Sequence, residues 1–160
     1  MSISAQLAKH LRDVHFGGNW TSVNLKDTLS GIDWQQATTK TDSLNTIALL
    51  VYHMHYYVAA ILKVMQGGPL DAKDQYSFDL PPLQTQMDWE RLQQSVWTDA
   101  EDLAKLVESL PEEKLWENFA GEKYGTVYRN IQGLIEHTHY HLGQIALIKK
   151  LLPEKSPARS

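Results

Sequence analysis

The sequence predicts an all-α fold, more specifically an antiparallel four-helix bundle with long crossover loops. Four segments repeat apolar residues every three or four positions, which is the period of an α-helix. No segment alternates apolar and polar residues over a length that would build a sheet. Hydrophobic residues make up 42% of the 160 positions, so one domain can bury a core of its own. We therefore expect a single bundle domain over residues 1–152 and a flexible tail over residues 153–160.

The first two helical segments are predicted over residues 3–14 and 43–66. The first has an apolar stripe with helical spacing, formed by Ile3, Leu7, Leu11 and Val14. The second has a longer stripe around Met54, and the Gly-Gly-Pro sequence that follows it is a typical helix stop.

The last two helical segments are predicted over residues 88–110 and 126–152. In the third segment Asp88 is the expected N-cap, and apolar residues then recur every three or four positions until Pro111. In the fourth segment Thr126 is the expected N-cap, and Pro153 follows the end.

Long connections join the four segments, and the first of them should contain a short helix within residues 22–32. Connections longer than about 12–15 residues are uncommon in compact domains unless they line a site or bind a partner. We therefore expect the loops to build much of any pocket.

Composition excludes several function classes. The net charge is −4 and the charges of both signs are mixed, so the basic surface of a nucleic-acid-binding protein is not expected. No apolar run approaches the roughly 20 residues that span a bilayer, and the N-terminus lacks the features of a signal peptide. A cytoplasmic protein without membrane association is therefore expected. The absence of cysteine excludes disulfides, thiolate metal ligands and cysteine nucleophiles.

Three histidines crowd into the last segment, in the sequence "EHTHYH". On a helix, residues four apart share a face, whereas residues two apart lie about 200° apart around the axis. His137 and His141 therefore share a face, and His139 lies roughly opposite. Two imidazoles at this spacing can bind one divalent ion, although the general-base glutamate of an HExxH zinc motif is missing.

A third ligand is available in the second segment, where "LVYHMHYY" places His53 and His55 on either side of Met54. Helical periodicity alone does not choose between these two histidines, because each lies about 100° from the centre of the apolar stripe. Metal sites in helix bundles are built from facing helices, which favours a ligand from this segment. The alternative for each buried histidine is a hydrogen-bonded core residue without metal.

These residues resemble the DinB/YfiT-like superfamily of metal-dependent enzymes. The last-helix pattern H-x-x-x-H-x-G-Q is matched by His137, His141, Gly143 and Gln144, and the second-helix histidine by His53 before an aliphatic residue. The sequence "GGNWTSVNLKDTLSGIDWQQA" is similar to the loop between the family's first two helices. The resemblance implies a four-helix bundle of up-down-down-up topology, commonly dimeric, that holds zinc or nickel through His53, His137 and His141, with His55 as the alternate ligand.

The predicted function is that of a metal-dependent enzyme, either hydrolase-like or a thiol-dependent transferase. Its substrate would be a small molecule, and for the transferase that the resemblance implies, a low-molecular-weight thiol would be the co-substrate. Tyr57, one turn after His53, and Gln144, close to His141, are candidates for acid–base or supporting roles. The alternative is a non-catalytic, stress-associated binding or structural homodimer whose metal is structural or absent. Three histidines without cysteine favour an open, catalytic site, because structural zinc sites usually have four protein ligands.

Overall fold

The computed structural model describes residues 1–152, and the regular elements of this part of the chain are all helices joined by irregular connections. Its six α-helices are α1 (Ile3–Phe16), α2 (Leu25–Leu29), α3 (Trp34–Thr38), α4 (Ile47–Met65), α5 (Gln86–Glu108) and α6 (Val127–Leu151). Within residues 1–152 the only β-type pairing is one isolated bridge between Asn118 and Thr126. The all-α prediction is confirmed, while the tail expected over residues 153–160 lies outside the described residues.

The helix starts are set by side-chain caps. Thr126 caps α6 as predicted, because its hydroxyl accepts from the Arg129 amide at 3.1 Å. The prediction that Asp88 is the N-cap of α5 is wrong. Thr85 holds that position, and Asp88 closes a reciprocal capping box by accepting from the Thr85 amide at 3.0 Å.

The connection between α1 and α4 contains two short helices. The first, α2, confirms the helix expected within residues 22–32. The second, α3, was not predicted, although a capping box formed by Asp33 and Gln36 marks its start. The α4 helix begins at Ile47, four residues later than expected, because Thr46 is its N-cap.

The four long helices pack in a closed ring, in which α1 and α4 each contact both α5 and α6. Two apolar clusters fill the space between them. The first cluster joins the first halves of α4 and α5 to the second half of α6, and it includes Leu50, Trp89 and Ile145. The second cluster joins the opposite halves of these helices to α1 residues such as Leu11.

Polar contacts tie the long connection to this core. The buried indole nitrogen of Trp89 donates to the Ile32 carbonyl at 2.9 Å. The Lys149 ammonium donates to the carbonyls of Thr28 and Ser30 at 2.8 and 3.0 Å, at the end of α2. A cation is favourable there because the last carbonyls of a helix carry partial negative charge.

The expectation that no apolar segment approaches membrane-spanning length needs correction at α4. This 19-residue helix is long and apolar enough to cross a bilayer by length and composition alone. Core helices of soluble proteins pass the same test. In this fold α4 packs against α5 and α6 and carries His53 in its middle.

Candidate metal centre

Three histidine rings meet between α4 and α6. His53 comes from the middle of α4, and His137 and His141 come from successive turns of α6. The Nε2 atom of His137 lies 3.0 Å from Nε2 of His53 and 3.0 Å from Nε2 of His141. One ligand atom from each of the three histidines lies within 4.8 Å of the other two. We call these three residues the histidine cluster.

The other two histidines of these segments lie elsewhere. His55 is held by α5, where its Nε2 atom lies 2.8 Å from a carboxylate oxygen of Asp99. His139 lines a separate cavity of about 560 Å³ together with His10 of α1 and the fully exposed Trp20. The structure thus places His53, and not the alternate His55, beside the α6 pair.

The cluster lies mostly below the protein surface. His53 and His141 are buried, and His137 is half-buried. Burial, and then the neighbouring His141 and His53 because like charges repel, together lower the pKa of His137 to about 4. Burial is the main cause that lowers the pKa of His53, and the nearby His141 lowers it as well. A hydrogen bond with the Ser77 backbone and the charge of Asp74 act in the opposite direction. Both rings are therefore neutral at pH 7, the form that binds metal.

Gln144 orients the ring of His141. Its side-chain oxygen lies 2.7 Å from Nδ1 of His141 and accepts a hydrogen bond from that nitrogen. In a neutral imidazole this leaves Nε2 without a proton, so its lone pair is directed at the cluster. Histidines that bind metals typically have such a partner on the second ring nitrogen. The structure thus places Gln144, a predicted supporting residue, in contact with a cluster histidine.

Hydrogen bonding within the cluster cannot satisfy all three rings. A ring nitrogen has either one N–H or one in-plane lone pair, so it forms one good hydrogen bond. The Nε2 atom of His137 has two nitrogen neighbours at 3.0 Å, and the Nδ1 atom of the same ring is buried without a hydrogen-bond partner. A structural hydrogen-bond network therefore accounts poorly for this arrangement.

The donor set fits a divalent transition metal. Zinc–nitrogen bonds of about 2.0–2.1 Å require that two ligand nitrogens lie less than roughly 4.2 Å apart. Both 3.0 Å separations meet this condition. Among residues 1–152, the group that could hold an ion contains these three histidines and no carboxylate. Imidazole ligands suit zinc, nickel, copper and iron, so the donor set does not distinguish among these metals.

Tyr57 forms one wall of the site. Its ring stands edge-on to His53 and His137, with centroid distances of 5.2 and 5.1 Å. Its hydroxyl donates to Asp74 at 3.1 Å. Burial is the main cause that raises the pKa of Tyr57, so the phenol keeps its proton at neutral pH. Tyr57, the other predicted supporting residue, therefore adjoins the cluster through its ring, while its hydroxyl donates to Asp74.

The connection between α4 and α5 covers His53, and sequence reasoning missed this contact. Phe78 stacks on the His53 ring at a centroid distance of 4.0 Å and an interplanar angle of 13°. Ser77 is buried beside it. The length of the connection was a sign that it lines a site, but an irregular segment has no periodicity from which individual contacts can be predicted.

A cleft of about 210 Å³ reaches His137 from the protein surface, and Tyr57, Ile61, Gly133 and Leu134 line it. The cluster is therefore accessible to a small molecule along one side.

The chain matches no protein-family model, and comparisons with curated proteins and with solved structures also find no match. The resemblance to the DinB/YfiT-like superfamily thus rests on the residues quoted above. The geometry of the histidine cluster carries the functional argument that follows.

Proposed function

We propose that this protein is a metal-dependent enzyme that holds one divalent ion, zinc or nickel, with His53, His137 and His141. It acts on a small molecule, either as a hydrolase or as a transferase that uses a low-molecular-weight thiol. The observation that carries the proposal is the convergence of three imidazoles, from two helices, beside an open cleft.

We further propose the DinB/YfiT-like four-helix bundle as the fold. The shared core clusters support an up-down-down-up order. The first halves of α4 and α5 lie in one cluster and their second halves in the other, as expected for parallel helices, whereas α6 has the opposite order. Ser4 at the start of α1 donates to the Leu110 carbonyl just after α5, as expected for an antiparallel pair.

The open side of the site favours catalysis over a structural role. Structural zinc is usually enclosed by four protein ligands, whereas catalytic zinc keeps a position for water or substrate. A divalent ion held by three neutral imidazoles keeps its full charge and can polarise a carbonyl, stabilise a thiolate or lower the pKa of water to near 7. Gln144 orients one ligand, and the Tyr57 phenol supplies a proton donor at the edge of the cleft.

We also propose a homodimer that uses the outer face of α6. Tyr140, Leu147 and Leu151 are 64%, 57% and 51% exposed. Their spacing of seven and four residues places them on one face of the helix. Sedimentation of the wild type as a dimer, and of Leu147→Lys as a monomer, is expected; a monomeric wild type would refute this part.

Metal analysis of the untagged protein tests the site. The wild type should contain one ion per chain, and His137→Ala and His141→Ala should lose it. His139→Ala is the matched control, because it removes a histidine from the same helix but not from the cluster, and it should keep the ion. Retention of a full ion by both cluster variants would refute the proposal.

Turnover assays then separate the enzyme from the structural alternative. The metal-loaded protein should hydrolyse an ester or amide, or transfer a group to a small thiol, and the His137→Ala variant should not. Full metal occupancy with a fourth protein ligand and no access for small ligands would support the non-catalytic reading instead.

A further inference from the structure

The cleft beside the histidine cluster has uncharged walls. It is lined by Tyr57 and Ile61 of α4 and by Gly133, Leu134 and His137 of α6. Among residues 1–152, no charged side chain belongs to this lining. Because His137 is one of the cluster histidines, a ligand group in the cleft lies directly beside the cluster. Such a group meets no ionised side chain with which it could pair.

The polar atoms of these walls are buried or already have partners. Tyr57 donates its single hydroxyl proton to Asp74 at 3.1 Å. The His137 ring directs Nε2 to the other two cluster histidines, and its Nδ1 atom is buried. Gly133 lies inside α6, where backbone amides and carbonyls bond along the helix. A polar ligand group would therefore lose water in the cleft and find few hydrogen-bond partners, which is unfavourable.

The volume of the cleft limits the size of the ligand group. The cleft measures about 210 Å³. An apolar cavity of about 150 Å³ is large enough to bind benzene, whereas sites for drug-sized ligands measure roughly 300–1,000 Å³. The cleft thus accommodates one phenyl ring or one short branched alkyl group. Ile61 and Leu134 supply aliphatic contacts to such a group, and Tyr57 supplies an aromatic ring.

Other cavities along the same two helices contain charged residues. A groove of about 490 Å³ on α4 is lined by Lys63 and Asp71, together with Ala60, the neighbour of Ile61. A groove of about 440 Å³ on α6 contains charged side chains of both signs. The absence of charge is therefore a property of the cleft at the histidine cluster and not of the surfaces of α4 and α6 in general.

We propose that the substrate carries a compact, uncharged apolar group of about phenyl size next to the atom that binds the ion, and that this group occupies the cleft. Tyr57, Ile61 and Leu134 contact it, while the reacting group of the substrate faces the histidine cluster. This inference rests on the proposed function, because the cluster must hold the ion that the substrate approaches. It adds a substrate class, namely compact aryl or branched-alkyl compounds.

Binding of hydroxamates to the Co²⁺-loaded protein tests the inference by visible absorption. Acetohydroxamate has a metal-binding head and one methyl group. Phenylacetohydroxamate adds a phenyl ring to that methyl carbon, and carbamoylacetohydroxamate adds a neutral, polar amide at the same place. The wild type should bind the phenyl probe at least about tenfold more tightly than acetohydroxamate, as expected for burial of a phenyl group. The amide probe should bind no more tightly than acetohydroxamate.

Substitutions at the cleft should remove the preference for the phenyl probe. Ile61→Asn places an amide in the wall and should abolish the preference, while the affinity for acetohydroxamate stays unchanged. Ile61→Met keeps an apolar wall and should retain the preference. Ala60→Asn is the matched control, because it adds the same amide to the neighbouring residue, which lines a different groove. It should bind all three probes like the wild type.

Gly133→Val narrows the cleft from the other helix. A Cβ atom at this position meets no other atom within 4 Å, and valine does not weaken a helix relative to glycine, so the variant should fold. Its side chain takes space beside the cleft, so the preference for the phenyl probe should fall at least about threefold. This variant decides the question if Ile61→Asn does not fold.

The outcomes separate the proposed function from the substrate inference. A wild type that binds no Co²⁺ refutes the proposed function, and the substrate inference falls with it. A wild type that binds Co²⁺ and acetohydroxamate, but does not prefer the phenyl probe, overturns the substrate inference alone. The same conclusion follows if Ile61→Asn, or in its place Gly133→Val, keeps the full preference, or if Ala60→Asn loses as much of it as Ile61→Asn.

Discussion

The histidines of this fold have two kinds of surroundings, even where they lie two residues apart on α4. His55 meets a carboxylate of α5, and the fully buried His15 has its Nδ1 atom 2.8 Å from the carbonyl of Leu11. His53, only two residues before His55, meets two further imidazoles instead. Each of the His55 and His15 imidazoles therefore has an oxygen partner at one ring nitrogen. Three imidazoles that converge in this way could hold a cation, and this difference is what the following predictions test.

Removal of metal should give the largest effect. A ligand that binds only the folded state stabilises it by about 4 kcal/mol when its free concentration is a thousand times the Kd. We expect a chelator to lower the free energy of unfolding of the zinc-loaded wild type by about this amount in urea titrations. The His137→Ala variant should show no such dependence on chelator. Equal chelator sensitivity of both proteins would place the ion elsewhere.

His15 should make the metal-free protein sensitive to acid. Burial lowers the pKa of His15 to about 4 from 6.5, against a smaller opposing effect of the Leu11 carbonyl. Between these two pH values the unfolded chain binds a proton that the folded chain does not, so stability falls as the pH falls. Full stability is therefore expected above pH 6.5, and the loss from this residue should reach roughly 2–3 kcal/mol at pH 4.5.

The His15→Leu variant should remove that part of the acid sensitivity, as measured by urea unfolding of metal-free protein at pH 7 and 4.5. His10→Leu, which replaces an exposed histidine of the same helix, is the control. An unchanged pH dependence in His15→Leu would show that His15 is not kept neutral by burial.

Gln144→Leu should weaken metal binding without abolishing it. Loss of a partner that orients a metal-binding histidine typically reduces affinity by about 10–100-fold. Competition with a chromogenic chelator measures this change. Gln132→Leu removes a glutamine from the same helix that bonds Glu136 instead, so its metal affinity should equal that of the wild type. Equal affinities of the two variants would exclude an orienting role for Gln144.

Asp99→Ala should have the smallest effect. It removes the carboxylate that binds His55, and we expect a loss of about 1–2 kcal/mol in the free energy of unfolding. Metal content should remain at one ion per chain, because His55 does not belong to the cluster. A loss of metal in this variant would show that the two kinds of histidine are not independent.

Part of this site could be predicted from local sequence, because helical geometry alone brings residues four apart together. That rule pairs His137 with His141 and separates His139 from them. The choice between His53 and His55 could not be made in this way, since both lie at similar angles from Met54. It depends on which neighbouring helix occupies which side of α4, and that arrangement is a property of the whole core.

The start of α5 and the loop contacts show the same limit. Asp88 is a good N-cap by residue type, but Thr85 three residues earlier completes a reciprocal pair with it, and two satisfied amides outweigh one. Phe78 lies on His53 because of the path of an irregular connection, for which no periodic pattern exists. Long regular helices are thus predictable from sequence here, whereas the loop residues that cover the site are not.

The most direct test compares metal content in two variants whose substitutions lie two residues apart. Untagged wild type, His53→Ala and His55→Ala, prepared in parallel in zinc-supplemented medium, are analysed for ions per folded chain. The account predicts one ion in the wild type and in His55→Ala, and none in His53→Ala. A full ion in His53→Ala, or its loss from His55→Ala, would contradict the assignment of the histidine cluster as the metal site.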